Sequence, residues 1–173
     1  MKLTQSLCPA CYEVIPAILS EEHEARAVIM AIHKDLAGRE GAVLGGTPEC
    51  DALLPLKHTF IDDGYMREIF MPKGMFVVSK IHKRTHPYFI MQGDVSVLTE
   101  SGVVRIHAPF HGITKAGTKR VLYMHEDTVW ITVHPTQETD LGKIEEDIIA
   151  KTFDDLDNVV EAEVQQFIKE VTK

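Results

Sequence analysis

The chain holds no run approaching the roughly 18 apolar residues that a bilayer-crossing helix needs, so no membrane span is expected in its 173 residues. It also lacks any long block of lysine and arginine. With 18 basic against 26 acidic residues and a formal net charge of −8, it has no broad cationic surface with which to neutralise many phosphates, and nucleic acid is not an expected partner. Its three cysteines, Cys8, Cys11 and Cys50, are an odd number and do not suggest a disulfide framework. Internal repeats and low-complexity segments are absent. The first sixteen residues hold one lysine and are interrupted by Pro9 and Glu13, unlike a secretory leader. A reducing, cytoplasmic setting is therefore expected.

What is present is ordinary for a globular protein: 45% apolar and 25% charged residues, enough for one domain with attached elements. The CPAC turn at Cys8–Cys11 has half the spacing of a zinc knuckle or a redox pair. It leaves open structural thiols, a zinc site completed by Cys50 or His23, and redox chemistry.

Three regions differ in texture. Residues 1–52 form an N-terminal helical segment and connector, in which Ser20 caps a helix to Leu36 and Ala25, Val28, Ile29, Ile32 and Leu36 follow helical spacing. Gly38 stops that helix, and 38–51 reads as a connector. Residues 53–135 carry short strands between turn residues, predicted at 65–71, 75–82, 88–91, 94–100, 103–108, 112–114, 119–123 and 128–134. Many short strands with close turns predict a mainly β sandwich or barrel, because closure removes exposed edges. Residues 136–173 return to helical spacing, with Leu141, Ile144, Ile148 and Ile149 on one face and Val160, Val164, Phe167, Ile168 and Val171 on a second. These helices are expected to pack on the barrel or to make an assembly contact.

The barrel region also carries a spacing. From Gly74 there follow five residues, Lys80, Ile81, His82, three residues, His86, six residues and Gly93; Gly117 stands three residues before Arg120 in the segment 109–124. This resembles the two motifs of the cupin superfamily, a glycine, HxH, a glutamate and a closing glycine, then PxG and a histidine. The resemblance covers roughly 56–135 and implies a cupin-type jelly-roll barrel; the helical spacing outside it adds an N-terminal helix and two C-terminal helices. It places the family's four metal-ligand positions at Lys80, His82, His86 and Arg120. The stretch 116–134, with KIHK at 80–83, is also similar to short cupin-domain proteins encoded by bacteriophages and bacteria. A phage origin, with the host cytoplasm or a virion as location, follows from that similarity. Barrels of this family commonly pair, so a homodimer is expected.

Protonated lysine and arginine have no lone pair to give a metal. They favour a carboxylate or phosphate instead. Lys80, His82 and Arg120 are therefore candidate ligand-binding residues for a small anionic molecule. On a strand, Phe76, Val78, Lys80 and His82 share a face, as do Arg120, Leu122 and Met124. His82 and His86 are candidate metal ligands if a third donor approaches, with His107, His111, His125 and His134 available; the cofactor is either none or a divalent transition metal. For catalysis His86 is the candidate base and Tyr123 or Lys80 the acid, an arrangement whose architecture resembles metal-independent sugar-nucleotide epimerases. Three functions stay open. The first is a binding barrel for an anionic metabolite, sugar or nucleotide. The second is a cupin isomerase, epimerase or oxygenase, with or without metal, and the third a structural protein of a virion.

Overall fold

The computed structural model describes residues 25–99 and 102–153. Helix α1 (Ala25–Ala37) is followed by a short helix α2 (Pro48–Leu53). Ten strands come next: β1 (Leu56–Ile61), β2 (Gly64–Met71), β3 (Phe76–Val78), β4 (Ile81–His82), β5 (His86–Gln92), β6 (Asp94–Thr99), β7 (Gly102–His107), β8 (Phe110–Thr114), β9 (Val121–Met124) and β10 (Thr128–Pro135). Helix α3 (Leu141–Ile148) and the two-residue strand β11 (Ile149–Ala150) follow. The Ser20 cap and the second C-terminal helix lie outside the described residues.

The strands form an antiparallel five-stranded sheet in the order β1-β2-β10-β5-β8 and a four-stranded sheet in the order β3-β9-β6-β7. Apart from β1 and the small β4–β11 pair, the strands nest so that each sheet takes its members alternately from early and late in the chain. That is the double Greek key of a jelly roll. Side chains alternate across the pleat. Met71, Ile90 and Trp130 from one sheet meet Val95, Val97, Leu122 and Met124 from the other in a core between the layers.

Two further clusters attach the helices. Val28, Ile29 and Ile32 of α1 cover Val121, Phe76, Val78 and Leu98 on the outer face of the four-stranded sheet. Burying such side chains contributes roughly 1.5–3 kcal/mol each. Ile144 and Ile148 of α3 pack on Tyr65. Asp140 caps α3 by accepting from the Lys143 amide at 3.1 Å.

The strand predicted over 75–82 is interrupted at Ser79 and Lys80, and its faces differ from the expectation. Val77 points into the barrel, while Phe76 and Val78 form the platform for α1. The shared row of Phe76, Val78, Lys80 and His82 is therefore corrected. The break is held by cross-strand polar contacts: the Arg120 amide donates to Ser79 Oγ at 2.9 Å and Lys119 Nζ donates to the Ser79 carbonyl at 3.0 Å. Within the expected connector, Thr47 and Pro48 start α2, with Thr47 Oγ1 accepting from the Cys50 amide at 3.3 Å. Strand β1 was not among the predicted strands. Each of its residues is exposed, so burial leaves little periodic signal in its sequence.

Gly93 joins β5 to β6 with φ near +110°, a region that L side chains rarely adopt. A Cβ there would lie 2.8 Å from Thr128 Cα and 2.9 Å from the Asp127 carbonyl. Both obstacles are backbone and cannot rotate away. Gly93→Ala is expected to destabilise the fold by about 2–4 kcal/mol, read as a lowered urea midpoint with an unchanged slope.

Candidate functional site

Three histidines meet inside the barrel. His82 comes from β4, His86 from the start of β5 and His134 from the end of β10; all three are buried. Register explains the meeting. His134 stands directly opposite Tyr65 on β2, and His86 opposite Thr114 on β8, so their side chains enter from the five-stranded sheet. His82 is held by pairing with Ile149 of β11. Ring centroids are 4.2 Å apart for His82 and His86, 4.4 Å for His86 and His134, and 5.6 Å for the nearly parallel His82 and His134. One ring nitrogen from each lies within 4.8 Å of those of the other two.

The hydrogen bonds show which nitrogens are free. The Arg84 carbonyl can only accept, so His86 Nδ1 donates to it at 3.0 Å. In the neutral ring that leaves Nε2 with a lone pair. His134 Nε2 bonds Thr132 Oγ1 at 3.1 Å. Among the described residues, His82 Nδ1, His86 Nε2 and His134 Nδ1 are buried without a hydrogen-bond partner. Burial pushes His82 down to about 2, with His86, Arg67, His134 and Arg120 adding to the effect. Burial likewise pushes His134 down to about 3, helped by His86 and Arg67. His86 is lowered by burial against the opposing pull of the Arg84 carbonyl. All three are neutral at physiological pH, the form that donates to a metal.

A cavity of about 200 Å³ adjoins the cluster, lined by His82 and His86, by Arg67, Lys80 and Arg120, and by apolar walls that include Trp130. Arg120 Nη1 donates to Thr114 Oγ1 at 2.9 Å, and the guanidinium lies 4.9 Å from the Tyr88 ring centre and 5.9 Å from that of Trp130. Tyr88 and Trp130 stack with ring centres 4.6 Å apart. Glu68 pairs with Lys57, and Asp127 accepts from the Lys73 amide. No carboxylate pairs with Arg120 among the described residues. Arg67 and Lys80, by contrast, both pair with Glu145 of α3.

The sequence-predicted set is thus partly assembled. Lys80, His82, His86 and Arg120 share one cavity wall, and Leu122 and Met124 follow Arg120 inward as expected. Tyr123 does not join them. It lies against Phe76 at 4.7 Å and edge-on to His125 at 4.9 Å, on the outer face of its sheet, so its expected acid role is corrected. The missing third imidazole is His134. His107 lies beside Asp94, His125 bonds Ser96 and His111 lies near Phe89, all outside the barrel. Cys50 is a free thiol on the cavity wall; Cys8, Cys11 and His23 lie outside the described residues.

No protein-family profile matches the chain, and no curated protein does. Solved structures do resemble it in part. KdgF from Halomonas sp. is 14% identical over 52% of this chain and 84% of that one, with a TM-score of 0.44. A predicted oxalate decarboxylase from Thermotoga maritima is 15% identical over 48% and 80%, with a TM-score of 0.41. A cupin-2 domain containing protein from Shewanella frigidimarina is 10% identical over 46% and 78%, with a TM-score of 0.39. The jelly-roll assignment rests on the strand order itself, and several of the structures that resemble the chain are named as cupin-domain or cupin-superfamily proteins.

Proposed function

We propose that the barrel binds a small organic anion beside a divalent transition metal ion, with His82, His86 and His134 holding the metal and Arg120 anchoring the anion. The convergence of three buried, neutral imidazoles with unpartnered nitrogens carries this reading. A buried polar atom left without a partner costs about 1–3 kcal/mol, and a ligated ion removes that cost. The donor set is right for the metal: imidazole suits zinc, nickel, iron and manganese. Bound there, such an ion would supply Lewis acidity to a ligand in the adjoining cavity.

The nearby charges make the two ligands interdependent. Arg67 and Arg120 disfavour positive charge on His82, and the same field opposes a dication. An anion held by Arg120 offsets it, so each ligand is expected to raise the other's affinity. Metal-free acid–base turnover is less well supported, because Tyr123 is outside the cavity and Lys80 is held by Glu145.

The test is metal-free protein titrated with zinc. One ion per chain, lost in His82→Ala, supports the reading; zinc binding that is indifferent to this substitution overturns it. For the anion, butyrate is a suitable small carboxylate, read by the fluorescence of Trp130, the single tryptophan of the chain. Arg120→Ala is expected to weaken butyrate by about ten- to a hundredfold, the worth of charge-assisted hydrogen bonds. Its melting temperature should move much less. Equal butyrate affinity in both proteins removes Arg120 from the role.

A further inference from the structure

Three cations line the cavity, but they are not equivalent. Glu145 offers one carboxylate oxygen to Arg67 Nη1 at 3.0 Å and the other to Lys80 Nζ. Both lone-pair-bearing ends of that carboxylate are committed to cations on the cavity wall. Arg120 has instead a hydroxyl and two aromatic faces around it. None of these neutralises its charge.

We infer that Glu145 is a specificity-determining residue of the proposed anion site: by occupying Arg67 and Lys80 from α3, it leaves Arg120 as the anchor and restricts the cavity to ligands with a single anionic group. The inference rests on the anion-binding reading above. Glu145 is a built-in second carboxylate. A ligand bringing its own second carboxylate meets cations already paired and a like charge beside them, which disfavours it.

The placement of Glu145 is fixed by more than its own ion pairs. Arg84 pairs with Asp147 at 2.6 Å, and Lys83 Nζ donates to the Glu146 carbonyl at 2.6 Å. The Lys83 amide donates to the Ile148 carbonyl at 2.8 Å. Helix α3 therefore has contacts to the barrel that do not involve the cavity cations. These allow its attachment to be altered separately from the cavity charge.

Butyrate and succinate share a four-carbon chain and differ by one carboxylate, so they isolate the feature in question. Their affinities are measured by calorimetry at low ionic strength in parent protein, Glu145→Gln and Asp147→Asn. The parent is expected to bind succinate no more tightly than butyrate. Glu145→Gln is expected to raise succinate affinity relative to butyrate about tenfold, equivalent to about 1.4 kcal/mol. Asp147→Asn, which removes the ion pair of α3 with Arg84, should leave the ratio unchanged. A parent that prefers succinate overturns the inference, as does an unchanged ratio in Glu145→Gln, or the same shift in Asp147→Asn. Those outcomes leave the anion cavity standing. Failure of the parent and Glu145→Gln to bind either anion overturns the cavity reading itself and this inference with it.

Discussion

Zinc affinity is expected to fall by more than about a hundredfold when His134 is replaced by alanine. Losing a group that only orients a metal ligand typically costs ten- to a hundredfold in affinity, and the loss of a donor exceeds that. The measurement is competition with a chromophoric chelator at fixed pH. His107→Ala is the control, because His107 is exposed on the outer side beside Asp94 and should have no effect. His134→Gln, closer in volume, separates loss of the donor from loss of packing against Tyr65, whose ring centre lies 6.2 Å away. If both variants hold zinc as the parent does, His134 is not a ligand.

The metal-free protein is expected to lose stability steeply as the pH falls below about 6.5 and to unfold between about pH 5 and 4. The imidazoles are buried neutral. In the unfolded chain each takes up a proton near pH 6.5, whereas in the fold His82 does so only at about 2 and His134 at about 3. Between those limits the unfolded state holds more protons, and stability falls with pH by up to about 1.4 kcal/mol per unit for each histidine. Together they remove about 5 kcal/mol from pH 6.5 to 4.5, comparable to the whole stability of many domains. Above pH 6.5 this contribution is level. Asp94, lowered chiefly by its hydrogen bonds from Arg105, adds its own loss only below the ordinary carboxylate range. Urea titrations of chelator-treated protein at pH 7.5, 6 and 5 test the slope, and His134→Ala should make it shallower. Stability that stays level down to pH 4.5 would contradict the burial of the cluster.

The sheet layers were largely legible because alternation and turns are local. Seven of the eight predicted strands fall where periodicity puts them, the strand over 75–82 being broken, and the inward row from Arg120 through Leu122 to Met124 follows from the pleat. The same pleat contains the correction for Tyr123: with residues 120, 122 and 124 facing inward, residue 123 must face outward. Phe76 and Val78 were misplaced because the break at Ser79 and Lys80 resets the alternation, and α1 needs an apolar platform on the outer side. His134 lay beyond either motif, fourteen residues after Arg120. Selecting it among four histidines required the pairing of His134 with Tyr65, a long-range register that no local spacing encodes. The Glu145 contacts are similarly remote, joining a cavity cation to a helix on the far side of Pro135.

The two-residue pairing of β4 with β11 ties His82 to the chain that follows α3. A shortened version ending at Pro135 would retain every residue that resembles the family motifs, yet it would strip the backbone partner from one imidazole and uncover Tyr65. Attempts to transplant or minimise this barrel therefore have to carry residues through Ala150, since the strand that places His82 is paired by sequence outside the sandwich.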